Sequence, residues 1–187
     1  TSDVRVRKVA VGGHFGGRSE ISPADFMAAL LSRKARRPVK LVYTREENFN
    51  CVRQVQSSIT HSRVGVDREG KMTGVDMKVI MDGGAYASTG PIAASVAYIM
   101  IEEAYKFANL RYEAIRSYTN KPPRGMYPHH PRTTYAALEL QLDALAEKLG
   151  MDPLELRMKN AVHEGYVTPT RTVITSCAEV ETMRLAT

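Results

Sequence analysis

A chain of 187 residues, 43% apolar and 25% charged, has room for one medium domain or two small ones, with the balance of a water-soluble globular protein. Its formal charge of +6 is spread along the chain among acidic residues, without an RNA-binding aromatic signature, so nucleic-acid binding is not expected. The longest mainly apolar run, 92–101, falls far short of the roughly 20 residues that span a bilayer, and no membrane association is expected.

The first element is an alternating run, Val4, Val6, Val9 and Val11, which reads as a strand. It leads into Gly12-Gly13-His14-Phe15-Gly16-Gly17-Arg18-Ser19-Glu20. Four glycines around one aromatic ring make a turn that leaves backbone N–H groups bare, suited to an anionic group or to a plain strand-to-helix connection. The spacing is neither Gly-x-Gly-x-x-Gly nor a Walker loop, which excludes a dinucleotide fold and a P-loop nucleotidase. Ser22 then caps a helix with Pro23 in its first turn, and Phe26, Met27, Leu30 and Leu31 recur at helical spacing until Pro38. A short strand is expected over 39–43, and Thr44-Arg45-Glu46-Glu47 resembles a helix cap and first turn.

A long β-hairpin is expected over 58–86, turning at Asp67-Arg68-Glu69-Gly70-Lys71 and ending in Asp82-Gly83-Gly84-Ala85-Tyr86. The small residues of 87–97 suit close helix packing, which is the favoured reading, or a wall beside a ligand. A strand over 112–118 runs into an ordered Pro-Pro-Gly turn at 119–125. The clearest helix covers 133–149, with Ala137, Leu138, Leu142, Leu145 and Leu149 in one stripe. Gly150 caps it, and Asp152-Pro153 opens a further helix over 154–161. After a loop and short strand at 165–175, a last helix begins beyond Cys177. Strands and helices mix without strict alternation, so the fold class is α+β.

The titratable residues give little catalytic signal. His129 and His130 are adjacent, and neighbours on extended chain point to opposite sides, so an exposed structural pair is favoured over a metal site. Glu139, Asp143 and Glu147 align on one helix face, which reads as a solvated acidic face before it reads as a ligand set. Cys51 and Cys177 lack metal-ligand spacing and read as reduced thiols, in keeping with a cytoplasmic setting. The beginning and end of the sequence read as those of an internal piece of something longer.

Taken together, these blocks resemble the molybdenum-binding large subunit of the xanthine dehydrogenase and aldehyde oxidase family. The resemblance is carried by the first glycine loop, by Arg37-Pro38-Val39-Lys40-Leu41, by Asp82-Gly83-Gly84-Ala85-Tyr86 and by Thr119-Asn120-Lys121-Pro122-Pro123-Arg124-Gly125. It extends to Asp143 through Asn160, so it runs along nearly the whole chain in order.

The resemblance implies a mixed sheet with a long hairpin and packed helices, all of 1–187 belonging to the molybdopterin-binding domain of a larger subunit. It implies a first cofactor loop at 12–20, a second cofactor-loop region at 119–132 and a helical segment at 133–161. Gly12, Gly13, His14, Phe15, Gly16, Gly17 and Arg18 are then expected at the cofactor, together with Gly125, Met126, Tyr127 and Pro128. The expected cofactor is a molybdenum–pterin, as molybdopterin or its cytosine dinucleotide, with iron–sulfur clusters and FAD on other domains or subunits.

The implied reaction is hydroxylation of an aldehyde or N-heterocycle carbon with oxygen from water, in an oligomeric protein. The family's general-base Glu is expected beyond this sequence, so the isolated piece is expected to be inactive. Two departures stand out. Arg18 occupies the usual Lys position, and Tyr127 and Pro128 fall where relatives carry an Arg and a glycine. The alternative is therefore a cofactor-deficient relative acting as an assembly or binding module.

Overall fold

The computed structural model describes residues 4–16, 21–124 and 131–187. Its centre is a three-stranded mixed sheet in the order β1-β2-β3: β1 (Ser58–Val66), β2 (Met72–Asp82) and β3 (Asn109–Ser117). β1 and β2 form the expected antiparallel hairpin, with Val64 opposite Val75 and Ser58 opposite Met81. β3 runs parallel to β2, with Leu110 opposite Val75 and Arg116 opposite Met81. A parallel neighbour needs a crossover, and a helix between the two strands provides it.

Six helices accompany the sheet among the described residues: α1 (Pro23–Ala35), α2 (Arg45–Cys51), α3 (Gly90–Glu102), α4 (Pro131–Leu149), α5 (Pro153–Asn160) and α6 (Glu179–Leu185). The α+β expectation is met. Caps explain several helix starts. Ser22 and Asp25 form a reciprocal capping box on α1, and Thr44 and Glu47 form another on α2. Asp152 accepts from the N–H groups of Leu154 and Glu155 at 2.8 and 2.9 Å. Gly150, in the left-handed region at φ 64°, ends α4.

β2 is the spine of the core. Val75, Met77, Val79 and Met81 are buried on the face that meets Ile101 of α3 and Leu138, Leu142 and Ala146 of α4. Alternate residues turn outward, where Asp76 pairs with Arg63 at 2.8 Å and Lys78 with Glu113 at 3.2 Å. Buried Asn160 ties α5 to the hairpin turn. Its side-chain N–H groups donate to the Gly70 and Leu156 carbonyls, and its Oδ1 accepts from Met72 N–H, each at 2.8 Å.

Three expected strands are absent among the described residues, the one expected within 165–175 being reduced to an isolated bridge between Val167 and Val173. Residues 4–11 and 39–43 lie outside any sheet, and Val4, Val6, Val9, Val11 and Val42 are all exposed. Alternation marks a face able to pair and bury. The ladder itself needs a neighbouring strand for the backbone N–H and C=O groups, and no described strand flanks either segment. α1 buries no residue for the same reason, leaving Phe26 and Leu30 exposed. The expected 112–118 strand begins three residues earlier, at Asn109.

Candidate functional site

Of the first loop, residues 12–16 fall within the description, and Gly17 and Arg18 lie outside it. Gly13, Phe15 and Gly16 have φ of 112°, 50° and 86°. Glycine adopts such angles freely, whereas a bulky residue in the left-handed region is strained. The ring of Phe15 folds back over Gly13: a Cβ there would stand 2.6 Å from the ring, and at Gly12 it would meet nothing. The sequence thus makes an exposed platform of bare backbone with one aromatic side chain, Phe15 being 69% exposed. His14 is part of the platform, since its Nδ1 accepts from Gly16 N–H at 3.1 Å.

Gly125, Met126, Tyr127 and Pro128, like His129 and His130, lie outside the described residues. The base of that region is described in detail. The Asp82–Tyr86 corner is stitched to the turn that follows β3. Gly83 N–H donates to Ser117 O at 2.8 Å, Ala85 N–H to Lys121 O at 2.9 Å, Thr119 N–H to Gly84 O at 3.1 Å and Arg124 N–H to Gly83 O at 3.0 Å. Gly84 (φ 65°) could not carry a side chain, because its Cβ would lie 2.1 Å from Pro122 O.

Charge organises the same corner. The Asp82 carboxylate accepts from Lys121 Nζ, from Thr119 Oγ1 at 2.6 Å and from Gly84 N–H at 3.1 Å. The lysine first, then the threonine, hold its pKa down at about 2, against the opposing effect of burial. Arg124 is buried; one guanidinium N–H donates to Gln54 Oε1 at 2.5 Å, and its Nε has no acceptor among the described residues.

On the sheet's inner face Tyr112 lies against Thr134 of α4, whose hydroxyl bonds to it, and burial pushes the Tyr112 hydroxyl up to about 12 against that bond. Tyr112 also lines a groove of about 750 Å³ with Ala94, Ser95, Tyr98, Leu110 and Thr170. The small residues at the start of α3 pack as favoured, Ala93 and Ala97 turning inward, while Ala94 and Ser95 border the groove.

The aligned carboxylates of α4 are not simply solvated. Arg157 of α5 pairs with both Glu139 and Asp143 at 2.8 Å, and Tyr105 Oη donates to Glu139 at 2.7 Å. No cluster of three or more His, Cys, Asp or Glu suited to a metal occurs among the described residues. Cys51 and Cys177 are free thiols.

The molybdopterin cofactor-binding domain family matches residues 1–161, 86% of the chain once the range is divided by 187. The chain belongs to that family. Within it, the large molybdopterin subunit of nicotinate dehydrogenase from Eubacterium barkeri is 33% identical over 99% of this chain and 44% of its own length. The xanthine dehydrogenase molybdenum-binding subunit of Escherichia coli O157:H7 is 34% identical over 90% of this chain and 22% of its own.

Among solved structures, quinoline 2-oxidoreductase from Pseudomonas putida 86 superposes with a TM-score of 0.86 at 28% identity, covering 94% of this chain and 23% of that one. The chain therefore spans less than half the length of the relatives it matches. The bare-backbone loop at 12–16 and the buried Arg124 Nε, which has no acceptor among the described residues, fit a molybdopterin domain. Arg116, near the end of β3, bonds to the 83–86 corner and is not marked by any motif; its signal is a charged residue on the inward parity of a strand.

Proposed function

We propose that this chain is the cofactor-facing part of a molybdenum hydroxylase large subunit, acting on an aldehyde or N-heterocycle carbon. The observation that carries the reading is the 12–16 loop, where three left-handed residues bare the backbone around an exposed Phe15 in a chain of this family. When bound, the molybdenum–pterin supplies two-electron oxidation with oxygen derived from water. The chain's own residues hold and orient. Gly12, Gly13 and Gly16 give backbone approach, Phe15 walls one side, and His14 fixes the loop through Gly16 N–H. Gly17 and Arg18 extend this loop, and Gly125, Met126, Tyr127 and Pro128 form its counterpart.

Electrons pass to iron–sulfur and flavin partners on other domains or subunits, and the assembly works as a cytoplasmic oligomer. No helix among the described residues is long and apolar enough to cross a membrane. The test is molybdenum and pterin content of the full-length protein, with turnover on a panel of aldehydes and N-heterocycles. Both components and turnover are expected; a well-folded protein lacking molybdenum and pterin overturns the reading.

One observation favours a second reading. Tyr127 and Pro128 replace an always-charged guanidinium and a glycine, and neither reproduces the charge or the close backbone approach. A cofactor-deficient assembly module would follow. Under it, Tyr127→Arg with Pro128→Gly raises molybdenum occupancy from a low starting level, and an unchanged occupancy counts against it.

A further inference from the structure

We propose that Arg116 is a positioning residue for the described start of the second cofactor region, 119–124: it clips the 82–86 corner and the start of α3 to the strand that leads into that turn. The inference rests on the molybdenum reading for its functional half.

Three observations carry it. The first is a slot. A Cβ on Gly83 would stand 2.3 Å from Arg116 Cζ, and one on Gly90 would stand 2.0 Å from Arg116 Nε. Two glycines 7 positions apart, one ending a strand and one opening α3, thus leave room for a single guanidinium stem. The second is its hydrogen bonding. One terminal nitrogen donates to Gly83 O at 2.6 Å, and both donate to Tyr86 O at 3.3 Å. The third is strain at the held residue. Tyr86 has φ 65°, a left-handed conformation that a bulky side chain keeps only where its surroundings fix it.

The charge has no carboxylate partner among the described residues. It is offset by the carbonyls and by the ring of Tyr118, whose centroid lies 5.7 Å away. Arg116 is only partly buried, so its charge keeps some contact with water and its bonds to neutral carbonyls contribute modestly to stability. What the arginine adds is the planar fork, which reaches two backbone carbonyls at once. Lysine, with its point charge on a flexible stem, cannot do so. The same base holds the end of the turn, where Arg124 N–H donates to Gly83 O at 3.0 Å.

The experiment compares full-length wild type with Arg116→Met, Arg116→Lys and, as a control destabilised elsewhere, Tyr105→Phe. Three readouts are taken: amide exchange of peptides covering 82–90 and 117–124, molybdenum and pterin content, and KM against kcat. Arg116→Met is expected to speed exchange in both peptides by at least about tenfold, to lower cofactor content and to raise KM. Arg116→Lys should recover part of each effect, and Tyr105→Phe should lower Tm without moving any of them.

Unchanged exchange in Arg116→Met overturns the proposal, as does faster exchange with cofactor content and KM at wild-type values. Wild type that lacks molybdenum and pterin overturns the molybdenum reading instead, and exchange alone then decides: faster in both peptides supports the clip, unchanged refutes it. Should Arg116→Met fail to accumulate, Gly90→Ala, which puts a methyl where Arg116 Nε lies, is judged by the same outcomes.

Discussion

Asp82 shows how one carboxylate can hold a corner together. It ends β2, accepts from Lys121, Thr119 and Gly84, and keeps its negative charge down to a pH of about 2. A depressed pKa means the stabilisation is fully present above the ordinary aspartate range and is lost as pH falls through 4 toward 2. Asp82→Asn should therefore lower the urea midpoint at pH 6, with the gap to wild type narrowing steadily in titrations taken toward pH 2.5. Asp82 stands out in the sequence because a glycine doublet follows it. Arg116 does not, although it shares the corner. It occupies the inward parity set by Leu110, Tyr112 and Ala114, where an apolar residue is expected, and only the clearance around Gly83 and Gly90 explains it.

Helices proved legible where their ends carry chemistry. Ser22 with Asp25, Thr44 with Glu47, and Asp152 with Pro153 announce α1, α2 and α5, because a side chain that satisfies orphaned N–H groups is a local event. The 4–11 and 39–43 segments were misread because pairing is not local: alternation states what a strand could bury, and a partner decides whether it does. The packing of α6 was equally hidden. Glu179, in its first turn, has its pKa raised to about 6, first by burial and then by the nearby charge of Glu139.

The sign follows from linkage: a carboxyl raised in the folded state opposes folding as pH climbs from about 4.5 through 6, and the cost is complete above that. Glu179→Gln should raise Tm at pH 7.5 and leave it unchanged at pH 4.5. A Tm gain of equal size at both pH values would refute the burial of that charge.

The chain as a unit divides unevenly. From residue 54 onward it builds a sheet covered by α3 and α4, while α1 and α2 bury no residue at all. Stability should accordingly respond to the second part. Leu142→Ala, at a fully enclosed position of α4, is expected to cost about 2–5 kcal/mol in urea denaturation. Asn160→Ala, which leaves Met72 N–H and Gly70 C=O buried and unpaired, is expected to cost about 2–4 kcal/mol. Leu30→Ala on α1 should change little in the same assay, since Leu30 is 63% exposed.

Asn160 also sets an order of events during synthesis. The hairpin turn at 70–72 leaves the ribosome early, yet the side chain that satisfies its backbone arrives 88 residues after Met72. Before β3 follows through the α3 crossover, β1 and β2 can pair only as an isolated ribbon, which is marginal in water. The backbone of the hairpin turn is therefore satisfied only once α5 is made, with the asparagine at its end as the fastening.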